Sequence, residues 1–210
     1  MMNLEEESPK FTRSSIDKRQ RVIESARKGD FSLAKKFSTD SDPRVRSTSI
    51  SVLSENLALD DDLIAIALLD PHPMVRSSLA RAAATNISIP VLHLLDDVDA
   101  SVVEVACWAV GEQGETHDLA IEILSRIALD HDDALCRESA VASLGALGDL
   151  RGLKSILQAT RDIATVRRRA VIALAPFEGE AVTDALETAL SDRDWQVRQA
   201  AEDLSQFFKE

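Results

Sequence analysis

The chain has no tyrosine, and aromatic residues make up only 4% of its 210 positions. Alanine and leucine are abundant instead, a balance that favours helices packed through small side chains over strands. Cysteine is scarce as well: Cys107 and Cys136 are too few for a disulfide framework. Both fall at core-like positions of helical patterns and are expected to be buried, reduced thiols. No apolar run approaches the ~18 residues that a membrane span requires, and no apolar leader opens the chain. A cytoplasmic protein that makes no use of a membrane is therefore expected.

Recognisable catalytic motifs are missing too. The sequence contains no phosphate-binding loop, nucleophile elbow or paired catalytic carboxylates. Its four histidines are His72, His93, His117 and His131, and no two share a helix at metal-ligand spacing. The acidic turns around Asp96, Asp97 and Asp99, and around Asp130, Asp132 and Asp133, lack the glycine and terminal glutamate of a calcium loop. The expectation is a protein that is not an enzyme and has no catalytic residue, metal or cofactor.

What the chain does have is charge, 29% of its residues, with a net value of −12. The balance argues against wholesale binding to nucleic acid or an anionic membrane. Its distribution is uneven. Residues 10–46 carry 11 basic and 5 acidic side chains, residues 47–135 carry 3 and 16, and residues 136–210 carry 10 and 12. One end should be positive and the middle strongly negative.

The chain also repeats itself. Similar blocks begin at Asp40, Asp70, Asp97, His131, Arg161 and Asp192, with apolar anchors Val45, Val75, Val102, Cys136, Val166 and Val197. The anchors are 30, 27, 34, 30 and 31 residues apart, a period that signals stacked supersecondary units. Each unit reads as a helix, a short acidic turn and a second helix. First helices are expected near 31–38, 60–69, 88–95, 117–129, 150–160 and 179–190, and second helices from near 43, 73, 100, 134, 164 and 194. Aspartate or serine before the second helices, and Pro43 and Pro73 in their first turns, are start signals. Gly111 and Gly114, then Gly145 and Gly148, are expected to close two of them in left-handed conformation. Residues 1–14 show no periodicity and read as a flexible tail, with the repeat array over 15–210.

The block Asp-x-Asp/His-x-x-Val-Arg-x-x-Ala, with Leu-Gly-x-x-Gly-Asp between units, resembles the HEAT repeat family, and within it the short subtype of the bilin lyases, over about residues 30–208. The resemblance implies an all-α fold: a right-handed α–α superhelix of six HEAT-like helix-pair repeats forming a curved solenoid, with the second helices lining its concave side. It also implies that the recurring Asp and Arg form a ladder through the stack, made of Asp40, Arg46, Asp70, Arg76, Asp97, Arg137, Arg167, Asp192 and Arg198. The residue chemistry agrees, since a turn aspartate can cap the second helix and hold a neighbouring arginine. Val103 departs from the Arg position, and His131 and Arg161 from the Asp position, where Asp130 or Asp162 can substitute. Iron-dependent hydroxylases of this family carry His-Glu pairs, and none of the four histidines here precedes a glutamate.

At about 100° per residue, positions +4, +5, +7 and +8 from each anchor should be buried, and +2, +3 and +6 should point away. The outward set contains Arg81, Glu104, Val105, Trp108, Glu138, Arg168, Arg169 and Ile172. An apolar centre with tryptophan, ringed by Arg and Glu, has the composition of a binding hot spot. Trp195 is expected to cover the last seam between repeats. The function that emerges is a monomeric protein–protein interaction scaffold gripping its partner along the concave face. The alternative is nucleic-acid or ribonucleoprotein binding through Arg168, Arg169 and the basic N-terminal end, which includes Lys18, Arg19, Arg21, Arg27 and Lys28. A chromophore- or small-ligand lyase-like subunit is implied by the resemblance alone.

Overall fold

The computed structural model describes residues 13–114 and 117–207; the expected tail falls outside these as far as residue 12. Every regular element among the described residues is a helix. The chain divides into two compact units, Met1–Ala82 and Ala83–Glu210.

In the first unit the helices are α1 (Arg13–Ala26), α2 (Ser32–Phe37), α3 (Pro43–Glu55), α4 (Asp61–Leu68) and α5 (Pro73–Ala83). Helix α1 packs on both α2 and α3. Val22, Ala34, Val52, Leu53 and Leu63 form a buried cluster, against which Ile23, Phe31, Phe37 and Leu59 close. Helix α2, at six residues, is too short to stand alone in water, so this burial holds it.

The second unit contains α6 (Val91–Leu94), α7 (Ala100–Gln113), α8 (Asp118–Asp130), α9 (Ala134–Leu147), α10 (Leu150–Ala159), α11 (Ala164–Ala173), α12 (Glu180–Leu190) and α13 (Trp195–Phe207). Second helices stack on one another as α7, α9, α11 and α13, while α8, α10 and α12 form a layer behind them. The anchor arithmetic explains this two-layer order. For the anchors Val45, Val75, Val102, Cys136 and Val166, all of the +4, +5, +7 and +8 residues are buried; α3 packs on α1 and α2, and α9 on α7, α8 and α11. Helix α13 differs at +5, where Glu202 is exposed, and at +8, where Ser205 is half-buried.

Two of the four glycines expected to end helices do so. Gly114 (φ 68°) and Gly148 (φ 63°) adopt the left-handed conformation that glycine enters at no steric cost. Gly111 and Gly145 lie inside α7 and α9 and serve packing instead. A Cβ on Gly145 would sit 2.6 Å from the Ala173 Cβ and 2.7 Å from its Cα, so the missing side chain is what lets α9 and α11 approach.

Candidate functional site

Except before α11, where Asp162 accepts the N–H of Ile163 and no side chain caps the helix, each turn between paired helices divides its work between two side chains, two residues apart. The first folds the turn. Asp40 accepts the N–H of Asp42 at 3.0 Å, Asp70 that of His72 at 2.9 Å, Asp97 that of Asp99 at 2.9 Å and Asp192 that of Asp194 at 2.7 Å. The second caps the helix: Asp42, Asp99, Asp133 and Asp194 accept from the N–H groups of Arg44, Ser101, Leu135 and Gln196. Such caps satisfy donors that a helix start leaves open.

The arginines tie these turns together. Nη1 of Arg46, Arg76, Arg137 and Arg198 donates to the carbonyl six residues back, at Asp40, Asp70, His131 and Asp192. The rest of the guanidinium forks onto the next turn's carboxylate: Arg46 on Asp70 (both bonds 2.7 Å), Arg137 on Asp162 (2.7 and 3.0 Å) and Arg167 on Asp192 (2.8 and 2.7 Å). These bonds hold the Asp162 and Asp192 carboxyls below the usual aspartate range against the opposing effect of burial. Asp162 takes the role that Arg161 vacates. In the first turn Lys18 of α1 supplies the cation, 2.6 Å from Asp40. Arg19 donates to Thr48 at 2.9 Å, so two members of the basic N-terminal set have structural partners, while Arg21, Arg27 and Lys28 are exposed.

One rung is different. Val103 stands where the third repeat would have arginine, and His131 where the fourth would have aspartate, so both partners of the same rung are replaced together. His131 still folds its turn, its Nδ1 accepting the Asp133 N–H at 3.0 Å; Asp130 is not what takes over. Side chains of α9 bond to backbone carbonyls of α7 instead: Cys136 to Ala100 at 3.2 Å, Ser139 to Glu104 at 2.8 Å and Ser143 to Cys107 at 2.6 Å. Gly111 faces Ser143 across this seam. Burial raises both thiols, Cys136 to about 11 and Cys107 further, which removes them as nucleophiles near neutral pH.

The outward positions form the remaining surface of the second-helix layer. Trp108 is 39% exposed and Ile172 41%, with Glu104, Val105, Glu138 and Arg169 half-buried. Arg169 reaches back to Glu138 at 3.3 Å, joining α11 to α9. Arg168 is exposed. Arg81, grouped with these residues by position alone, is exposed on α5 of the first unit.

Sequence reasoning missed one part of this surface. Trp195, expected to cover a seam, is 63% exposed and lines a groove of about 490 Å³ with Arg168, Ile172, Gln199, Asp203 and Leu204. A helix wheel ranks positions within one helix but does not say that the neighbouring helix stands too far off to cover the ring. The signal that could have found it was its place at −2, outside every buried register.

Among the described residues, no three His, Cys, Asp or Glu side chains are placed to hold a metal ion, and no helix is long and apolar enough to cross a membrane. The family model for HEAT repeats matches residues 121–204. Over this stretch the chain is similar to HEAT repeats. No curated protein matches the chain in sequence. Among solved structures, an engineered protein superposes with a TM-score of 0.60 at 18% identity, covering 85% of this chain and 96% of that one. A chain from the complex of CpcE and CpcF of phycocyanin lyase from Nostoc sp. PCC7120 gives 0.58 at 18%, over 96% and 79%. A designed armadillo repeat protein in complex with the peptide (KR)4 gives 0.54 at 18%, over 93% and 98%. These likenesses establish the fold: all-α helix-pair HEAT-like repeats of the right-handed α–α superhelix class.

Proposed function

We propose that this chain is a non-enzymatic cytosolic docking protein that holds another protein on the second-helix layer of the unit Ala83–Glu210. One observation carries the reading: four large apolar side chains, Trp108, Leu135, Ile172 and Trp195, remain exposed on the helices of that layer, which also carry the charged Glu104, Glu138, Arg168 and Arg169. Exposed tryptophan with arginine is the composition of interface hot spots. Repeat arrays present extended surfaces of this kind, and the designed armadillo neighbour holds a peptide. The nucleic-acid reading is weakened by the engagement of Lys18 with Asp40 and Arg19 with Thr48.

The test is affinity purification from native lysate with nuclease present, comparing the wild-type chain with Ile172→Asp and with Glu187→Ala in α12 as the control. A protein retained by wild type and control, and lost with Ile172→Asp, supports docking on this layer. Equal retention by all three, or recovery of nucleic acid alone when nuclease is omitted, contradicts it.

A further inference from the structure

The groove between α11 and α13 carries an electrostatic bias that points to the kind of segment it takes. Three consecutive arginines leave α11 in three directions, and two are committed. Arg167 forks onto Asp192, and Arg169 reaches Glu138. Among the described residues, the Arg168 guanidinium has no carboxylate or carbonyl acceptor, although it is exposed at the rim of the groove. The acidic group on the other wall, Asp203, accepts from Gln199 at 2.8 Å. The groove therefore offers an uncommitted cation, with its anion already hydrogen-bonded. Apart from Gln196, its floor and walls are otherwise apolar, formed by Ile172, Ala175, Trp195, Ala200 and Leu204. A volume of about 490 Å³ falls in the range of sites that enclose a compact ligand group.

Resting on the docking function above, we propose that this groove receives a protein segment that sets a bulky apolar side chain against Trp195 and Ile172 and a carboxylate on Arg168. The guanidinium provides a planar pair of donors that a carboxylate matches bidentately, and the adjoining apolar wall strengthens that pair by excluding water. A basic segment would bring like charge to Arg168, whereas Asp203 keeps its charge but has one oxygen engaged by Gln199.

The experiment is a displayed-peptide selection on the immobilised wild-type chain, with Trp195→Ala for counter-selection and Arg168→Glu as a parallel target. Trp195 is mostly exposed, so its truncation leaves the fold intact, which a thermal melt verifies. The expected peptides combine a large apolar residue with Asp or Glu. A synthetic representative should lose at least about tenfold in affinity on Arg168→Glu, a charge-pair loss of ordinary size. The Arg168→Glu target should enrich Lys- or Arg-bearing peptides instead. Basic peptides on the wild type, affinity indifferent to Arg168→Glu, or no enrichment that depends on Trp195 would overturn the inference. Peptides that depend on Trp108 but not on Trp195 overturn the groove's occupant and leave docking on the layer standing. Concentration-dependent self-association lost with Trp195→Ala would give the groove to a second copy, and also overturns it.

Discussion

At the residue scale, Gly145 sets how closely α9 and α11 approach, and two effects of opposite sign meet there. Alanine in a helix interior is favoured over glycine by roughly 1 kcal/mol. Its Cβ, however, would stand 2.7 Å from the Ala173 Cα, an obstacle that no rotamer change removes. Overpacking should win, and Gly145→Ala is expected to lower stability by about 2 kcal/mol in urea unfolding. Asp192 makes a second residue-scale prediction. Its carboxyl is held below the usual range by the bonds from Arg167, so the folded state binds its proton less readily than the unfolded chain. Stability from this group is complete above the unfolded value of about 3.9, and drains as pH falls toward and through the lower folded value. Asp192→Asn should cost about 2–3 kcal/mol at neutral pH, and flatten the decline of the urea midpoint below pH ~5. A decline as steep as the wild type's would show that the fork contributes nothing. The Asp192–Arg167 pair was legible in sequence because both residue types recur at repeat spacing. The exposure of Trp195 was not, because it depends on the distance to a neighbouring helix.

At the scale of the element, the turn and its two helices form the working unit. Start signals at Pro43 and Pro73 and the anchor period placed the second helices within a residue of where they lie. The shift from Arg161 to Asp162 was harder to settle, since the fork decides which side chain serves and the fork is a tertiary contact. The rung missing between repeats three and four gives a direct test of the ladder's logic. Val103 is buried, so Val103→Arg alone strands a charge and should destabilise by about 3 kcal/mol. Adding His131→Asp supplies the carboxylate that the other rungs possess and should recover at least about 1 kcal/mol, measured as coupling in a double-mutant cycle. Strictly additive effects would mean that the α7–α9 seam has no room for a fork. Exposed pairs such as Arg126 with Asp96 and Arg151 with Asp118 belong to a weaker class and should contribute little when removed.

At the scale of the whole molecule, the contacts that hold the repeats together lie apart from the surface proposed for docking. Forks and caps fill the turns, apolar anchors fill the space between layers, and the outward positions of α7, α9, α11 and α13 carry what remains. From Asp40 onward the repeats were readable because periodicity is a property of sequence. The layer proposed for docking is marked in the sequence only by Trp, Ile and Arg where solvated residues would suffice. The measurement that tests this most directly is photo-crosslinking in cells from a photoreactive residue placed at Ile172 or Trp108, against controls at Leu119 and Glu187 on the first helices. Docking on the second-helix layer predicts one protein partner crosslinked from both test positions and from neither control. Crosslinks that form equally from the controls, or from none of the four positions, would contradict it.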